Sequence, residues 1–112
     1  MVYNSGMNNE ENKIKVRYAP TFEKWFGKLK DPVAKAAIHA RIARMRLGLF
    51  GDAKRFGNVS EMRVDIGQGY RVYYTMRGDT LVILLLGGDK SSQDKDFKQA
   101  YELARKKFDF EE

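Results

Sequence analysis

The chain has no cysteine and a single histidine, His39. The first absence excludes disulfides, thiolate zinc sites and a cysteine nucleophile. The second excludes a multi-histidine metal cluster and argues against a Ser-His-Asp triad. No apolar run approaches the ~18 residues that span a bilayer, and no signal-peptide core is present. A cytoplasmic protein with no membrane partner is expected. Acidic residues are in the minority: 21 Lys and Arg against 15 Asp and Glu give a net charge of +6 and a pI near 9.6. That balance points to a polyanionic partner, either nucleic acid or an acidic protein surface. A length of 112 residues bounds the chain to one domain.

What is present centres on Val59–Gln93, VSEMRVDIGQGYRVYYTMRGDTLVILLLGGDKSSQ. Three strand-like runs, Val59–Ile66, Tyr70–Met76 and Leu81–Leu86, are separated by glycine-containing connections of hairpin length. A first hairpin centred on Gln68 sets Val64 opposite Val72, Met62 opposite Tyr74, Asp65 opposite Arg71 and Arg63 opposite Tyr73. Alternation then makes one face apolar and gives the other Arg63, Asp65, Arg71 and Tyr73. LVILLL has no polar break and reads as a central strand covered on both faces. It runs into Gly87-Gly88-Asp89-Lys90, whose glycines read as positions needing positive φ or a close approach.

From the N-terminus, Met1–Lys13 is polar and aperiodic. It reads as a loose leader, with Met7 an alternative start. Ile14–Tyr18 alternates as a short strand. Pro20 opens a helix to about Leu29, whose Phe22, Trp25, Phe26 and Leu29 form one apolar face. Asp31 and Pro32 open a second helix to about Leu47, ended by Gly48. Ala34, Ile38, Ile42, Met45 and Leu49 form its buried stripe, with Lys35, His39, Arg41, Arg44 and Arg46 on the solvated side. Gly48–Gly57 reads as a linker carrying Lys54 and Arg55. Ser91 with Asp94 suggests a capping box for a last helix, about Gln93 to Phe108, with Phe97, Ala100, Tyr101, Ala104 and Phe108 docking on the sheet. The fold class is α+β in the order β-α-α-β-β-β-α, with a single domain over 14–108 and a tail over 109–112.

The segments FEKWFGKLKDP, AKAAIHARIARMRLG, EMRVDIGQGYRVYY and LVILLLGGDKSSQDKDF resemble the RelE/ParE superfamily of bacterial toxin–antitoxin modules. They resemble in particular its HigB-like addiction module killer proteins, related to phage Gp49-like proteins. The likeness covers about Ile14 to Lys106, and GYRVYY followed by LLLGGDKSSQ is its most specific part. It implies a RelE-like fold and, from the RelE branch, a ribosome-dependent mRNA endoribonuclease needing no metal or cofactor. In that reaction a ribose 2′-hydroxyl attacks the adjacent phosphate, and cations stabilise the developing charge. Arg71 matches the family's arginine on the sheet. Lys90 falls where well-known relatives place a catalytic arginine, a departure that exchanges a bidentate fork for a point charge. Tyr73 is a candidate for stacking on a base or donating a proton, and Lys54, Arg55 and Arg63 are candidates for RNA binding. The family's C-terminal tyrosine has no counterpart, with Phe97 near its place, so the general acid and base are unassigned.

The resemblance also implies partners: a helix-turn-helix antitoxin, the ribosome and mRNA, with DNA contacted through the antitoxin. A second function class shares the same fold and charge, namely a ParE-like inhibitor of DNA gyrase that cuts no RNA. A third is a degenerate toxin that only binds a partner. For Arg71 the structural alternative is a cross-strand pair with Asp65, worth under ~1 kcal/mol.

Overall fold

A computed structural model describes residues 13–109. The expected leader and tail fall outside the described residues, apart from Lys13 and Asp109. The described elements are β1 (Lys15–Tyr18), α1 (Pro20–Lys28), α2 (Pro32–Arg46), β2 (Ala53–Phe56), β3 (Val59–Val64), β4 (Tyr70–Arg77), β5 (Leu81–Gly88) and α3 (Gln93–Ala104). A 3-10 turn, Lys90–Ser92, leads into α3. The strands form one mixed sheet in the order β1-β5-β4-β3-β2, parallel between β1 and β5 and antiparallel elsewhere.

This is the expected α+β class with one strand added. Gly48–Gly57 is not a plain linker, because Ala53–Phe56 pairs with β3 as the sheet's edge. Helices α1 and α2 cover one face of the sheet. Phe22, Phe26, Ala34, Ile38, Ile42 and Met45 pack there on Met62, Val64, Val72, Tyr74, Val82 and Leu84. Helix α3 covers the other face, where Ala100, Leu103 and Ala104 meet Val59, Tyr73, Ile83, Leu85 and Leu86. A central strand must be apolar on both sides in such a sandwich, and β5 is buried from Val82 to Gly88.

Between Tyr73 and Tyr74 the pairing with β5 shifts, so that Tyr73 faces Leu86 and Tyr74 faces Leu84. Leu85 is the extra residue of a bulge. Leu85 and Leu86 therefore both enter the α3 layer.

The first hairpin differs from the expected register. Met62 lies opposite Val72, Arg63 opposite Arg71, Glu61 opposite Tyr73 and Val64 opposite Tyr70. The pairing has moved by two residues because β3 ends at Val64 and the loop runs through Asp65–Gly69. Gly67 and Gly69 both take positive φ, 56° and 75°, left-handed backbone that glycine adopts without steric cost. A two-residue slip leaves each side chain on its face, so the apolar and polar faces survive. The proposed Asp65–Arg71 pair does not, since Asp65 is exposed in the turn.

Asp31 caps α2 as expected, accepting from Ala34 N at 3.0 Å. Leu49 leaves the expected buried stripe and is exposed. Arg41 is no solvated cation; it donates to the carbonyls of Arg63, Phe50 and Asp52, tying α2 to the start of the β2–β3 ribbon. Asp89, rather than Ser91, forms the capping box with Ser92, and α3 ends at Ala104 instead of Phe108. Neither Gly87 nor Gly88 has positive φ. Both are close approaches, Trp25 resting on Gly87 and Asp96 with Ser92 on Gly88. Among the described residues no helix is long and apolar enough to cross a membrane.

Candidate active site

Arg63 on β3, Arg71 on β4 and Gly88 on β5 are consecutive cross-strand partners. They lie on the sheet face that α3 covers, but near the N-terminal end of that helix, where the turn carrying Lys90 leaves β5. A β-carbon added to Gly69 would meet Arg71 Nη1 at 3.4 Å and Lys90 Cβ at 3.5 Å. The two residues singled out from YRV and GGDK thus flank one glycine. Lys90 is exposed and lines an open recess with Gln68, Asp89 and Ser91.

Beneath the cations sits a residue that the sequence reading passed over. Glu61 is fully buried. Its Oε1 accepts from Arg63 Nε at 3.1 Å. Its Oε2 accepts from Gln93 Nε2 at 2.7 Å and from the Tyr73 hydroxyl at 3.3 Å, and lies 3.7 Å from Arg71 Nε. An acceptor-only carboxylate suits these three donors, and the buried Arg71 Nε beside them is an ion-pair neighbour that makes no hydrogen bond. Arg71 also donates through Nη1 to the Gly69 carbonyl at 2.8 Å, and its side chain is 11% exposed against 41% for Arg63.

Tyr73 is less available than expected. Its side chain has no solvent exposure, and Phe97 packs edge-on against it at 4.9 Å between ring centroids. A ring so enclosed offers no face to a nucleobase. Burial first, and then the charges of Glu61 and Asp96, push its phenol well above the ordinary tyrosine range. Tyr73 is therefore a neutral donor to Glu61.

Lys54 and Arg55, adjacent in sequence, are parted by the alternation of β2. Lys54 stands opposite Glu61 and lies over the Phe56 ring at 5.5 Å, on the face of Arg63 and Arg71. Arg55 turns to the other face, where Nε donates to the Gly57 carbonyl at 2.8 Å. Asp89 stays ionised as a cap: Ser91's hydroxyl and the Ser91 and Ser92 amides hold its carboxyl below the usual range, against the opposing effect of burial.

The family model described as phage derived protein Gp49-like (DUF891) matches residues 24–109. The chain belongs to the Gp49-like family. That family is associated with toxin–antitoxin modules, so an antitoxin partner is implied. The matched range runs from α1 past α3 and holds every cation of the site. A Haemophilus influenzae relative described as "Uncharacterized protein" is 53% identical over 93 residues, covering 82% of this chain and 94% of its own. No solved structure matches.

In this Gp49-like protein Glu61 and Gln93 are the site residues missed from sequence. A glutamate between Ser60 and Met62 reads as a solvent-facing strand residue. Its burial depends on a helix 32 positions further on.

Proposed function

We propose that the chain is a HigB-like toxin of the RelE/ParE superfamily, acting as a ribosome-dependent mRNA endoribonuclease. The observation that carries this reading is the convergence of Arg71 and Lys90 on Gly69, with Arg63 directly opposite Arg71. Three cations at one end of a sheet, on separate strands and a turn, suit a phosphate approached by a flexible strand of RNA.

In the proposed reaction the ribose 2′-oxygen attacks the adjacent phosphorus and the bond to the 5′-oxygen breaks. A 2′,3′-cyclic phosphate and a 5′-hydroxyl result, with one proton moved from the attacking to the leaving oxygen. Arg71 and Arg63 stabilise the extra negative charge on the non-bridging oxygens, an electrostatic contribution greatest where water is partly excluded. Lys90, on the exposed turn, contacts the same phosphate or the leaving oxygen. Tyr73 acts from below, through Glu61. A helix-turn-helix antitoxin would silence the toxin by covering this basic end or by preventing ribosome entry.

The test is translation in vitro of a defined mRNA, with and without ribosomes, followed by primer extension. New 5′ ends in the ribosomal A site, absent without ribosomes and lost in Arg71→Ala, are expected. Intact mRNA beside a folded, growth-inhibiting protein would overturn the reading in favour of gyrase as the target.

A further inference from the structure

Two arginines directly opposite one another on neighbouring strands repel, and such like-charge pairs are destabilising. Arg63 and Arg71 occupy such positions in β3 and β4. What makes the arrangement tenable is the single buried carboxylate between them. Each arginine turns its Nε edge to a different oxygen of Glu61, at 3.1 and 3.7 Å. The Nη2 nitrogen of Arg71 and both Nη nitrogens of Arg63 have no protein acceptor among the described residues. Arg63 is anchored at Nε by Glu61, and Arg71 at Nη1 by the Gly69 carbonyl, its buried Nε facing Glu61 without a hydrogen bond. The Nη donors left open on each suit a phosphate oxygen.

The same carboxylate reaches the third cation indirectly. Gln93 donates to Glu61 at 2.7 Å and is the first residue of α3, directly after the turn that holds Lys90. That turn is tied down further by Ser92, whose hydroxyl donates to Asp96 at 2.5 Å, and by the capping box of Asp89.

We propose that Glu61 is the positioning residue of the site: it holds Arg63 and Arg71 side by side as a paired guanidinium clamp for one phosphodiester group and, through Gln93, sets the Lys90 turn in register with them. Glu61 itself touches no substrate, being fully buried. The clamp rests on the nuclease reading only for the identity of its anion as an RNA phosphodiester. With two positive groups and one negative, the cluster keeps a net positive charge toward solvent while satisfying its buried acid. Replacing the carboxylate by an amide removes that charge and turns an NH2 group toward at least one of the donors.

The full chain, labelled with 15N in its arginine side chains, can be titrated with a 2′-O-methyl RNA trinucleotide, which offers phosphodiesters but no 2′-hydroxyl. In the wild type the Nε–H resonances of Arg63 and Arg71 should move together on one binding curve. Glu61→Gln should weaken binding by about tenfold, the worth of one charge-assisted hydrogen bond, and Glu61→Asp should recover part of it. Independent curves in the wild type, or undiminished binding in a folded Glu61→Gln, would overturn the clamp. Should Glu61→Gln fail to fold, a cycle of Arg63→Ala, Arg71→Ala and the double variant decides instead. Coupling of about threefold or more supports a shared phosphate, and strict additivity overturns it.

Cleavage of ribosome-bound mRNA by the same samples separates the two ideas. Joint binding without cleavage by the wild type removes the nuclease reading and leaves the clamp. Cleavage that Glu61→Gln does not slow at saturating ribosomes removes the clamp and leaves the nuclease.

Discussion

Tyr73 donates its hydroxyl to Glu61 at 3.3 Å from a ring with no solvent exposure. The contact assigns the tyrosine a supporting part and separates it from Arg71, its neighbour on the same face. Tyr73→Phe keeps the ring in its pocket and removes one hydrogen bond, at a cost of about 1 kcal/mol. The expected result is a small loss of cleavage beside a near-complete loss in Arg71→Ala. Equal losses in the two folded variants, read by primer extension, would return a chemical role to the Tyr73 hydroxyl.

Tyr73 also predicts how stability responds to alkali. Burial raises the phenols of Tyr73, Tyr70 and Tyr74, aided at Tyr73 by Glu61 and at Tyr70 by Asp31. Near pH ~10, where an ordinary tyrosine ionises, the unfolded chain loses phenolic protons that the folded chain keeps. The folded state then binds more protons, so stability falls as pH rises beyond that point. Below it these groups contribute no slope. Denaturant midpoints measured across this range should fall less steeply for Tyr73→Phe than for the wild type.

Much of this was legible in the sequence, and the exceptions share a cause. Helices α1 and α2 follow from Pro20, Pro32 and Asp31, whose effects are local, and LVILLL declared its burial by having no polar residue. Strand β2 did not declare itself. Its apolar residues, Ala53 and Phe56, enter opposite layers, packing against the α2 side and against Phe97 respectively, so alternation gives no signal. The hairpin register was ambiguous because a two-residue slip preserves both faces. Loop length decided it, since β3 ends at Val64 and the connection takes up Asp65 to Gly69 before β4 begins. Glu61 was invisible because its donors come from β3, β4 and α3 together.

Asp31 joins two elements with its two oxygens. Oδ1 caps Ala34 at 3.0 Å and Oδ2 accepts from the Tyr70 hydroxyl at 3.2 Å. Asp31→Ala removes the cap and strands the phenol, at a combined cost of about 2 kcal/mol. For a domain of this size the melting midpoint should fall by roughly 8 °C or more. Cleavage at a permissive temperature should persist, because the Tyr70 ring and Ala34 lie in the layer under α1 and α2, on the other side of the sheet from Glu61 and its arginines.

Gly69 and Gly78 both hold positive φ, 75° and 65°, but only Gly69 has the site beside it. Alanine at either position should cost about 1–2 kcal/mol of backbone strain. The added methyl at Gly69 also crowds Arg71 Nη1 and Lys90, whereas that at Gly78 meets nothing within 4 Å. Matched losses of stability with a much larger loss of cleavage in Gly69→Ala are therefore expected. Equal cleavage in the two variants would show that Arg71 and Lys90 need not meet there.

Lys54 and Arg55 provide the sharpest contrast available within one dipeptide. Both are exposed cations of β2, so truncating either should alter stability by no more than about 0.5 kcal/mol. Lys54 shares the face of Arg63 and Arg71, while Arg55 is turned away and engaged with the Gly57 carbonyl. If RNA crosses the cationic end of the sheet, Lys54→Ala should weaken trinucleotide binding and reduce its salt dependence by about one phosphate contact. Arg55→Ala should leave both unchanged. A reversed outcome would place the RNA on the opposite face, beneath the β2–β3 turn, and would detach it from Arg71 altogether.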